Sequence, residues 1–379
     1  MLLRTLRPLL RTPVAGLLAA ALLAGACAPA TSTRQPAASA AAANVYPAAE
    51  WERWPAPEAA GYSSQGLAAA EERLREIDTT SFLVIVGGRV LFEYGDVSEL
   101  SYLASVRKSI LSMLYGIHEA RGEIDLDDTL AELGIDDVQG LTDAEKQATI
   151  RHLLMARSGI YHPASNSGDN LADAPPRGSQ APGAYYLYSN WDFNALGTIF
   201  EQETGQSIYD AFQVDVADPL RLQEYDRSRH RRSGNEESSR HLAYHFTLST
   251  RDMARIGYLM LREGRWQDEQ IVPADWVRES TSALTPLEEM NPPGRREGRQ
   301  GYGYLWWVFD GPHVSGPWEG AFTGNGAYGQ YIAVFPALDM VVVNKTAVPP
   351  YERSTSYGEI NGVIQRIMDA RCPGGSCEN

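Results

Sequence analysis

Ser105 and Lys108 are the residues whose types and spacing most clearly suggest chemistry. They lie three positions apart where a helical pattern of apolar residues begins, and residues with this spacing share one face of a helix. A serine hydroxyl is a poor nucleophile until a base takes its proton, and a lysine can be that base if burial or a neighbouring cation lowers its pKa. The alternative interpretation is a helix capped by Ser105, with Lys108 in solvent.

A second candidate group is Tyr188-Ser189-Asn190, which precedes a helical pattern starting at Trp191. A tyrosine beside a lysine can exist partly as the phenolate and shuttle a proton. An asparagine amide can donate to a substrate carbonyl and accept from a lysine. The alternative is a turn in which Ser189 or Asn190 caps the next helix, and both interpretations can hold together.

These motifs resemble those of the class C β-lactamase-like (penicillin-binding-protein-like) serine hydrolases. Ser105-Val106-Arg107-Lys108 is similar to the family's S-x-x-K, and Tyr188-Ser189-Asn190 is similar to its Y-x-N. Three further segments resemble other family motifs, namely residues 152–160, 248–255 and 301–307. The resemblance covers about residues 55–370 and indicates the branch that includes 6-aminohexanoate-dimer hydrolase and related esterases.

The resemblance implies a serine hydrolase that cleaves an ester or amide through an acyl-enzyme, without a metal or cofactor. Ser105 would attack the carbonyl, Lys108 and Tyr188 would carry the proton, and Asn190 would position Lys108 or the substrate. One alternative is a β-lactamase or D-alanyl-D-alanine carboxypeptidase-type penicillin-binding enzyme. The other is a non-catalytic binding lipoprotein on the same fold.

The third family motif, usually K-T-G or H-x-G on a strand beside the site, lacks its basic residue here. Either Phe322-Thr323-Gly324 or Gly324-Asn325-Gly326 occupies it, and we favour the second because Gly329-Gln330 then falls where this branch has G-Q. The missing cation weakens the case for β-lactams, although an arginine from elsewhere could replace it. The resemblance places the oxyanion-binding N–H groups on Ser105 and Ala327, and glycines allow backbone to approach a substrate closely.

The N-terminal sequence predicts export. Residues 1–27 combine three arginines with an apolar run too short to be a stable membrane anchor, and they end at Cys27 in a sequence that resembles a bacterial lipoprotein box. Residues 28–45 are predicted to be a flexible tether. We therefore expect a periplasmic or cell-surface protein with lipid on Cys27; ordinary signal cleavage is the alternative. Cys372 and Cys377 could close a small disulfide loop, which would leave Cys27 unpaired.

Residues 46–379 are predicted to form one α+β domain with two lobes. Strand signals lie near both ends, at residues 82–86, 90–94, 303–308, 331–335 and 340–343. Helical patterns cover residues 62–77, 123–133, 143–155, 191–203 and 356–370 and the segment after Ser105, whereas residues 164–183 and 227–240 are predicted to be loops. We expect an antiparallel sheet built from both ends (about 46–115 and 245–370) and flanked by helices, with a helical lobe (about 116–244) inserted. The cleft between the lobes is the expected site.

Charge and missing motifs exclude several classes of function. The formal net charge of −15 argues against nucleic acid and against electrostatic docking on anionic lipid. The chain contains no phosphate loop, dinucleotide fingerprint or G-x-S-x-G elbow. His241 and His245 are four residues apart without a carboxylate at a recognised zinc spacing, so a structural role is favoured. The expected ligand is a small ester, amide or peptide-like molecule, with membrane contact through the lipid anchor alone.

Overall fold

Strands from both ends of the chain meet in the centre of the computed structural model, which describes residues 44–312, 314–375 and 377. Numbered along the chain, the strands are β1 (Ser81–Val86), β2 (Arg89–Gly95), β3 (Ser101–Tyr102), β4 (Arg231–Ser233), β5 (Ala243–His245), β6 (Thr247–Leu248), β7 (Arg265–Trp266), β8 (Glu269–Gln270), β9 (Gln300–Tyr302), β10 (Trp307–Phe309), β11 (Phe322–Gly326), β12 (Gln330–Phe335) and β13 (Met340–Lys345).

The α-helices lie on both faces of the sheet and in the inserted segment. They are α1 (Ser64–Arg75), α2 (Val106–Ala120), α3 (Ile150–Leu154), α4 (Asn190–Thr204), α5 (Ile208–Phe212), α6 (Asp218–Leu220), α7 (Thr250–Leu261), α8 (Ala274–Ser280) and α9 (Tyr357–Asp369). Short 3-10 turns, one π-helical turn (Gln213–Ala217) and loops join them. Among the described residues, none of these helices is long and apolar enough to cross a membrane.

The main sheet has seven antiparallel strands in the order β2-β1-β13-β12-β11-β10-β9. Strand β1 pairs with β13 from Ser81↔Lys345 to Val86↔Met340, so residues about 260 positions apart lie side by side. Gly87 and Gly88 turn the β1–β2 hairpin with φ values of +58° and +77°, which glycine adopts without strain. The α+β architecture, with a sheet built from both ends of the chain, is confirmed.

Alternate residues of β1 enter two cores because side chains of a strand point to opposite faces. Phe82 and Val84 pack with α1 and α9, whereas Leu83 and Ile85 pack with α2 and α7. A strand covered on both faces reads as a continuous apolar run instead of an alternating one. The sheet therefore provides a rigid, buried support against which α2, the helix that follows Ser105, is fixed.

Two predicted helices differ from the structure. Residues 123–133 form turns, because side chains bond to nearby backbone: Asp127 N–H donates to Asp125 Oδ1 at 3.0 Å, and Thr129 N–H donates to Glu132 Oε2 at 2.9 Å. Such local bonds compete with helical ones. In residues 143–155 the helix is confined to α3, because Thr149 is extended and its side chain caps the N-terminus in a capping box.

Two other segments also differ. Residues 303–306 are a tight turn between β9 and β10, in which Gly303 N–H donates to Trp306 O at 2.9 Å, so the strand predicted over 303–308 begins only at Trp307. The segment 227–240 is not a plain exposed loop, since it contains β4 and the buried His230. His241 precedes strand β5 and His245 ends it, so the two imidazoles do not share a helix face.

Candidate active site

Ser105 immediately precedes α2. Ala104 adopts a left-handed φ of +48°, uncommon for a residue with a side chain, and this bend takes the chain from β3 into the helix. Ser105 is the N-cap residue with helical backbone angles, and its side chain makes no capping hydrogen bond. The hydroxyl is therefore available to other partners, and Lys108 lies one turn further on the same face.

The amine of Lys108 is the centre of the site. Its Nζ lies 2.9 Å from Ser105 Oγ, 2.6 Å from Tyr188 Oη and 2.8 Å from Asn190 Oδ1. The side chain is only 2% exposed, and no carboxylate forms an ion pair with it in the part of the chain that the structure describes. The structure thus brings together the two separate motifs, 80 and 82 residues apart in the sequence.

The partners of Nζ suit an uncharged amine. A carboxamide oxygen can only accept, so Asn190 Oδ1 takes one N–H. Hydroxyl groups can donate as well as accept, so Ser105 or Tyr188 can direct its proton at the nitrogen lone pair. Burial, followed by the neighbouring charge of Arg107, holds the pKa of Lys108 well below its usual range, against the opposing effect of Asp169. A lowered pKa favours the free amine, which is the form that can accept a proton.

Tyr188 and Asn190 are held by the start of α4. Ser189 Oγ accepts from Asp192 N–H at 3.4 Å, which caps the helix. Asn190 Nδ2 donates to Ser167 O at 2.9 Å, which turns its Oδ1 towards Lys108. The tripeptide 188–190 therefore both caps α4 and supplies two side chains that contact Lys108.

The Tyr188 ring is packed between aromatic neighbours. It stacks on Trp307 with ring centroids 5.5 Å apart and lies 4.8 Å from the ring of Phe193. Burial raises the pKa of Tyr188 overall, while the Ser105 hydroxyl and the cations Arg107 and Arg295 act in the opposite direction. The phenol is therefore protonated in the resting site and can donate or relay a proton.

Strand β11 brings the glycines of the third motif against α2. A Cβ added at Gly326 would lie 2.5 Å from Leu103 O and 3.1 Å from Ser105 N, and one at Gly324 would lie 3.0 Å from Ser109 Oγ. Bare backbone is thus required for β11 to approach the nucleophile turn. Within the described ranges, the N–H groups of Ser105 and Ala327 have no protein acceptor.

The two candidate registers of the third motif differ in their surroundings. Phe322 packs on Trp306 with centroids 5.4 Å apart, and Thr323 Oγ1 accepts from Gln300 Nε2 at 2.9 Å. Asn325 and Ala327 instead line the cavity beside Ser105. The Asn325 side chain is 6% exposed, and its Oδ1 has no hydrogen-bond partner. A buried, unpaired acceptor at a cavity wall is suited to a polar substrate group.

The cavity at Ser105 has a volume of about 200 Å³. Its lining is Ser105, Gly168, Asp169, Asn170, Tyr188, Arg295, Trp307, Asn325, Ala327 and Tyr357. Sequence reasoning did not identify six of these as site residues, namely Gly168, Asp169, Asn170, Arg295, Trp307 and Tyr357. Trp307 is the last residue of the segment 301–307 that resembles a family motif, and residues 168–170 lie in the predicted loop 164–183. No local pattern distinguishes Arg295 or Tyr357.

Arg295 supplies the positive charge that β11 lacks. It lies in a 3-10 turn (Pro293–Glu297), and its Nη2 donates to Asn170 Oδ1 at 2.8 Å. Its Cζ lies 5.1 Å from the Trp307 ring centroid, and its Nε is buried without a partner. No carboxylate pairs with this guanidinium among the residues described. The cavity therefore contains a cation with unused hydrogen-bonding capacity.

The predicted pairing of the two C-terminal cysteines is present in the structure. A disulfide joins Cys372 and Cys377, with Cα atoms 5.0 Å apart. Cys27 and the predicted tether up to residue 43 lie outside the described residues. Within the described part of the chain, no group of three or more His, Cys, Asp or Glu side chains is arranged to hold a metal ion.

Comparisons with known proteins indicate the family and the fold of this chain. A sequence model of the family named Beta-lactamase matches residues 67–354. The 6-aminohexanoate-dimer hydrolase of Paenarthrobacter ureafaciens is 25% identical over 332 residues, covering 79% of this chain and 81% of that protein.

Two solved structures show the same fold at low identity. A beta-lactamase from Mycobacterium bovis has a TM-score of 0.55 and 21% identity, covering 79% of this chain and 97% of that one. A penicillin binding protein from Bacillus halodurans has a TM-score of 0.57 and 14% identity, covering 78% and 98%.

Proposed function

The chain belongs to the beta-lactamase family of serine hydrolases, and on that premise we propose that it cleaves an ester or amide through an acyl-enzyme on Ser105. The observation that carries the proposal is the buried Lys108 amine within hydrogen-bonding distance of Ser105 Oγ, Tyr188 Oη and Asn190 Oδ1. The relative from Paenarthrobacter ureafaciens is named a hydrolase of the 6-aminohexanoate dimer. Two amino acids are commonly joined through an amide, so the name supports including amides among the substrates.

In the proposed reaction, Ser105 Oγ attacks the substrate carbonyl carbon as its proton passes to Lys108 Nζ, directly or through Tyr188. The carbonyl oxygen becomes an oxyanion and accepts from the N–H groups of Ser105 and Ala327. The carbon–leaving-group bond then breaks, and the leaving oxygen or nitrogen receives the proton held by Lys108 and Tyr188. Water hydrolyses the acyl-enzyme by the same steps and regenerates the serine.

Replacing Ser105 tests this mechanism. We expect Ser105→Ala to lose both turnover of chromogenic esters and amides and the mass increase caused by a fluorophosphonate probe. The matched control is Ser112→Ala, because Ser112 lies on the same helix, is fully buried and has no hydrogen-bond partner. Hydrolysis that persists in Ser105→Ala rejects the proposal. A folded wild type that reacts with no probe favours a non-catalytic binding lipoprotein.

A second candidate is a β-lactamase or D-alanyl-D-alanine carboxypeptidase, and Arg295 favours it. These substrates carry a carboxylate, and a guanidinium binds a carboxylate through paired hydrogen bonds. The test compares a chromogenic cephalosporin with an uncharged acetate ester in wild type and Arg295→Gln. A loss of about tenfold or more in kcat/KM confined to the cephalosporin supports this candidate. Equal losses of kcat/KM for both substrates, or a wild type that does not hydrolyse the cephalosporin, reject this candidate in favour of the ester or amide hydrolase.

We also propose that the protein is exported and carries lipid on Cys27. The arginines before the apolar run, and the cysteine at its end, support this. Mass spectrometry of the mature N-terminus from a bacterial host is the test. A diacylated Cys27 at the N-terminus is the expected result. An N-terminus at any other residue rejects lipidation, and an uncleaved chain rejects export.

A further inference from the structure

Arg107, the residue before Lys108, has a guanidinium buried without any carboxylate to balance it. The side chain is 2% exposed. Nη2 donates to the neutral amide oxygen Asn194 Oδ1 at 3.0 Å, and Cζ lies 4.3 Å from the centre of the Tyr244 ring. Nη1 has no partner, and no acidic side chain pairs with this arginine in the described part of the chain.

Such a group is expensive to bury. A charge removed from water is normally paired with an opposite charge, and a hydrogen bond plus an aromatic face compensates only part of the loss. A methionine or leucine could fill the same space between α2, α4 and β5 without that cost. The buried charge therefore calls for a role beyond packing.

The groups around Arg107 suggest that role. Six titratable side chains from five neighbouring elements lie in the electrostatic range of this guanidinium. They are Lys108 on α2, Tyr102 on β3, Tyr209 on α5, Tyr244 and His245 on β5, and Tyr188 just before α4. Burial is the largest effect on each of these pKa values and raises those of the tyrosines, whereas Arg107 acts in the lowering direction on all six groups. Asp169 is the charge that acts on Lys108 in the opposite direction. Asn194, which accepts from Arg107, lies one turn of α4 after Asn190, which accepts from Lys108, so the two side chains bond to neighbouring amides of one helix.

We propose that Arg107 is a positioning residue for the acyl-enzyme chemistry: its permanent positive charge keeps the Lys108 amine in the uncharged form that accepts the Ser105 proton. The inference rests on the proposed function. A cation beside a lysine disfavours the ammonium form. Arginine suits the role because its guanidinium keeps its proton in proteins, whereas a second buried lysine would release its own.

The test measures the rate at which a fluorophosphonate labels Ser105 as a function of pH. Labelling rises with pH as Lys108 loses its proton, so removing the cation must move this rise to higher pH. We expect Arg107→Gln to move the midpoint up by about one pH unit. On the acid limb, labelling then becomes about tenfold slower than in wild type. Arg107→Lys is expected to recover part of the shift.

Two further variants separate electrostatics from packing. Arg255→Gln is the matched control, because Arg255 is also fully buried and also bonds to neutral oxygens, among them Leu220 O at 2.8 Å. The charge of Arg255 does not affect the pKa of Lys108, so the midpoint of labelling in Arg255→Gln should equal that of the wild type. Asn194→Asp places a carboxylate on the guanidinium at nearly constant shape and should raise the midpoint even if Arg107→Gln fails to fold.

The outcomes are distinguishable. Raised midpoints in Arg107→Gln and Asn194→Asp, with an unchanged midpoint in Arg255→Gln, support the assignment. Unchanged midpoints in both test variants, with reduced labelling at every pH, mean that Arg107 only packs, and they reject it. A raised midpoint in Arg255→Gln also rejects it, since the shift would then follow from general loosening. Wild type that is not labelled at any pH rejects the acyl-enzyme itself.

Discussion

Lys108 and Lys345 are both buried lysines, and they differ in the groups that their amines contact. Lys345 ends strand β13, and its Nζ donates to two backbone carbonyls, Ser101 O at 3.2 Å and Leu248 O. Lys108 instead contacts two hydroxyl groups and one amide oxygen. Carbonyl oxygens can only accept, so they require N–H groups, whereas hydroxyls leave the lone pair of an uncharged amine usable.

The charges around the two amines reinforce this difference. Burial lowers the pKa of Lys345 to about 7, and the carboxylates of Glu99 and Asp252 oppose that effect. For Lys108 the cation Arg107 acts in the same direction as burial. Burial alone therefore does not make a lysine a catalytic base. Lys345 therefore joins β13 to β3 and β6, and the difference supports the proposal that Lys108 transfers protons.

Replacing each lysine by methionine is the strongest way to break this comparison. We expect Lys108→Met to reduce kcat/KM for a chromogenic ester by at least about 10³-fold, because the base that activates the serine is lost. Lys345→Met should stay within about tenfold of wild type, because its amine contacts no reacting group. Steady-state kinetics on both folded variants is the measurement. Comparable losses would mean that burial, not contact with Ser105, decides the effect.

The hydroxyl of Tyr188 is the next feature that separates the two lysines. Tyr188→Phe keeps the ring between Trp307 and Phe193 but removes the proton relay, so kcat/KM should fall by about 10²-fold. Tyr186→Phe is the matched control, because the Tyr186 hydroxyl is buried without a hydrogen-bond partner. Its kcat/KM should change by less than about threefold. Similar losses in both variants would contradict a proton-transfer role for Tyr188.

The pH dependence of stability tests the assignment of Lys345. Burial lowers the pKa of Lys345 in the folded protein to about 7, from the ordinary value of 10.5 that applies to the unfolded chain. Between these values the unfolded chain binds one proton more than the folded protein, so the free energy of unfolding increases as the pH rises. Between pH 7 and pH 9 the free energy of unfolding of the wild type should rise by about 2–3 kcal/mol relative to that of Lys345→Met. Urea unfolding at both pH values measures this. A difference independent of pH would contradict the buried, titrating amine.

A smaller change should make Lys108 behave more like a charged lysine. Asn190→Asp replaces a neutral acceptor with a carboxylate, which stabilises the ammonium form, so the acid limb of kcat/KM should move up by about one pH unit. Asn235→Asp adds the same charge on an exposed turn and should leave the limb in place. An unshifted limb in Asn190→Asp would show that Lys108 does not set it.

The meeting of Ser105, Tyr188 and Asn190 at Lys108 was predictable because local rules fix the positions of these residues. The helical period places Lys108 on the face of Ser105, and helix capping by Ser189 places Tyr188 and Asn190 at the end of a loop. Arg295 and Tyr357 were not predictable, and Asp169 was predictable only as part of the loop 164–183. They come from a 3-10 turn, the first position of the last helix and a loop, and tertiary packing alone brings them to the cavity.

In the fold, too, some elements follow from local sequence patterns and others do not. The apolar runs of β1, β12 and β13 predicted the sheet, because a strand covered on both faces needs them. The predicted helix over 123–133 was wrong because Asp125 and Thr129 bond to nearby backbone, which periodicity does not detect. His118 ends up buried, with its Nδ1 2.6 Å from Glu123 Oε2 and its Nε2 3.1 Å from Asp215 Oδ2, a pair of contacts that spacing does not indicate.

The most direct test of the account is the protonation state of Lys108. The chain contains three lysines, Lys108, Lys146 and Lys345, so protein labelled with ¹³C at lysine Cε gives three signals, which single Lys→Arg variants assign. Lys146, which pairs with Asp136 at the surface, provides the reference. We expect Lys108 to be an uncharged amine at pH 7 while Lys345 is near the midpoint of its titration. A protonated Lys108 at pH 7 in the free enzyme would contradict the central claim.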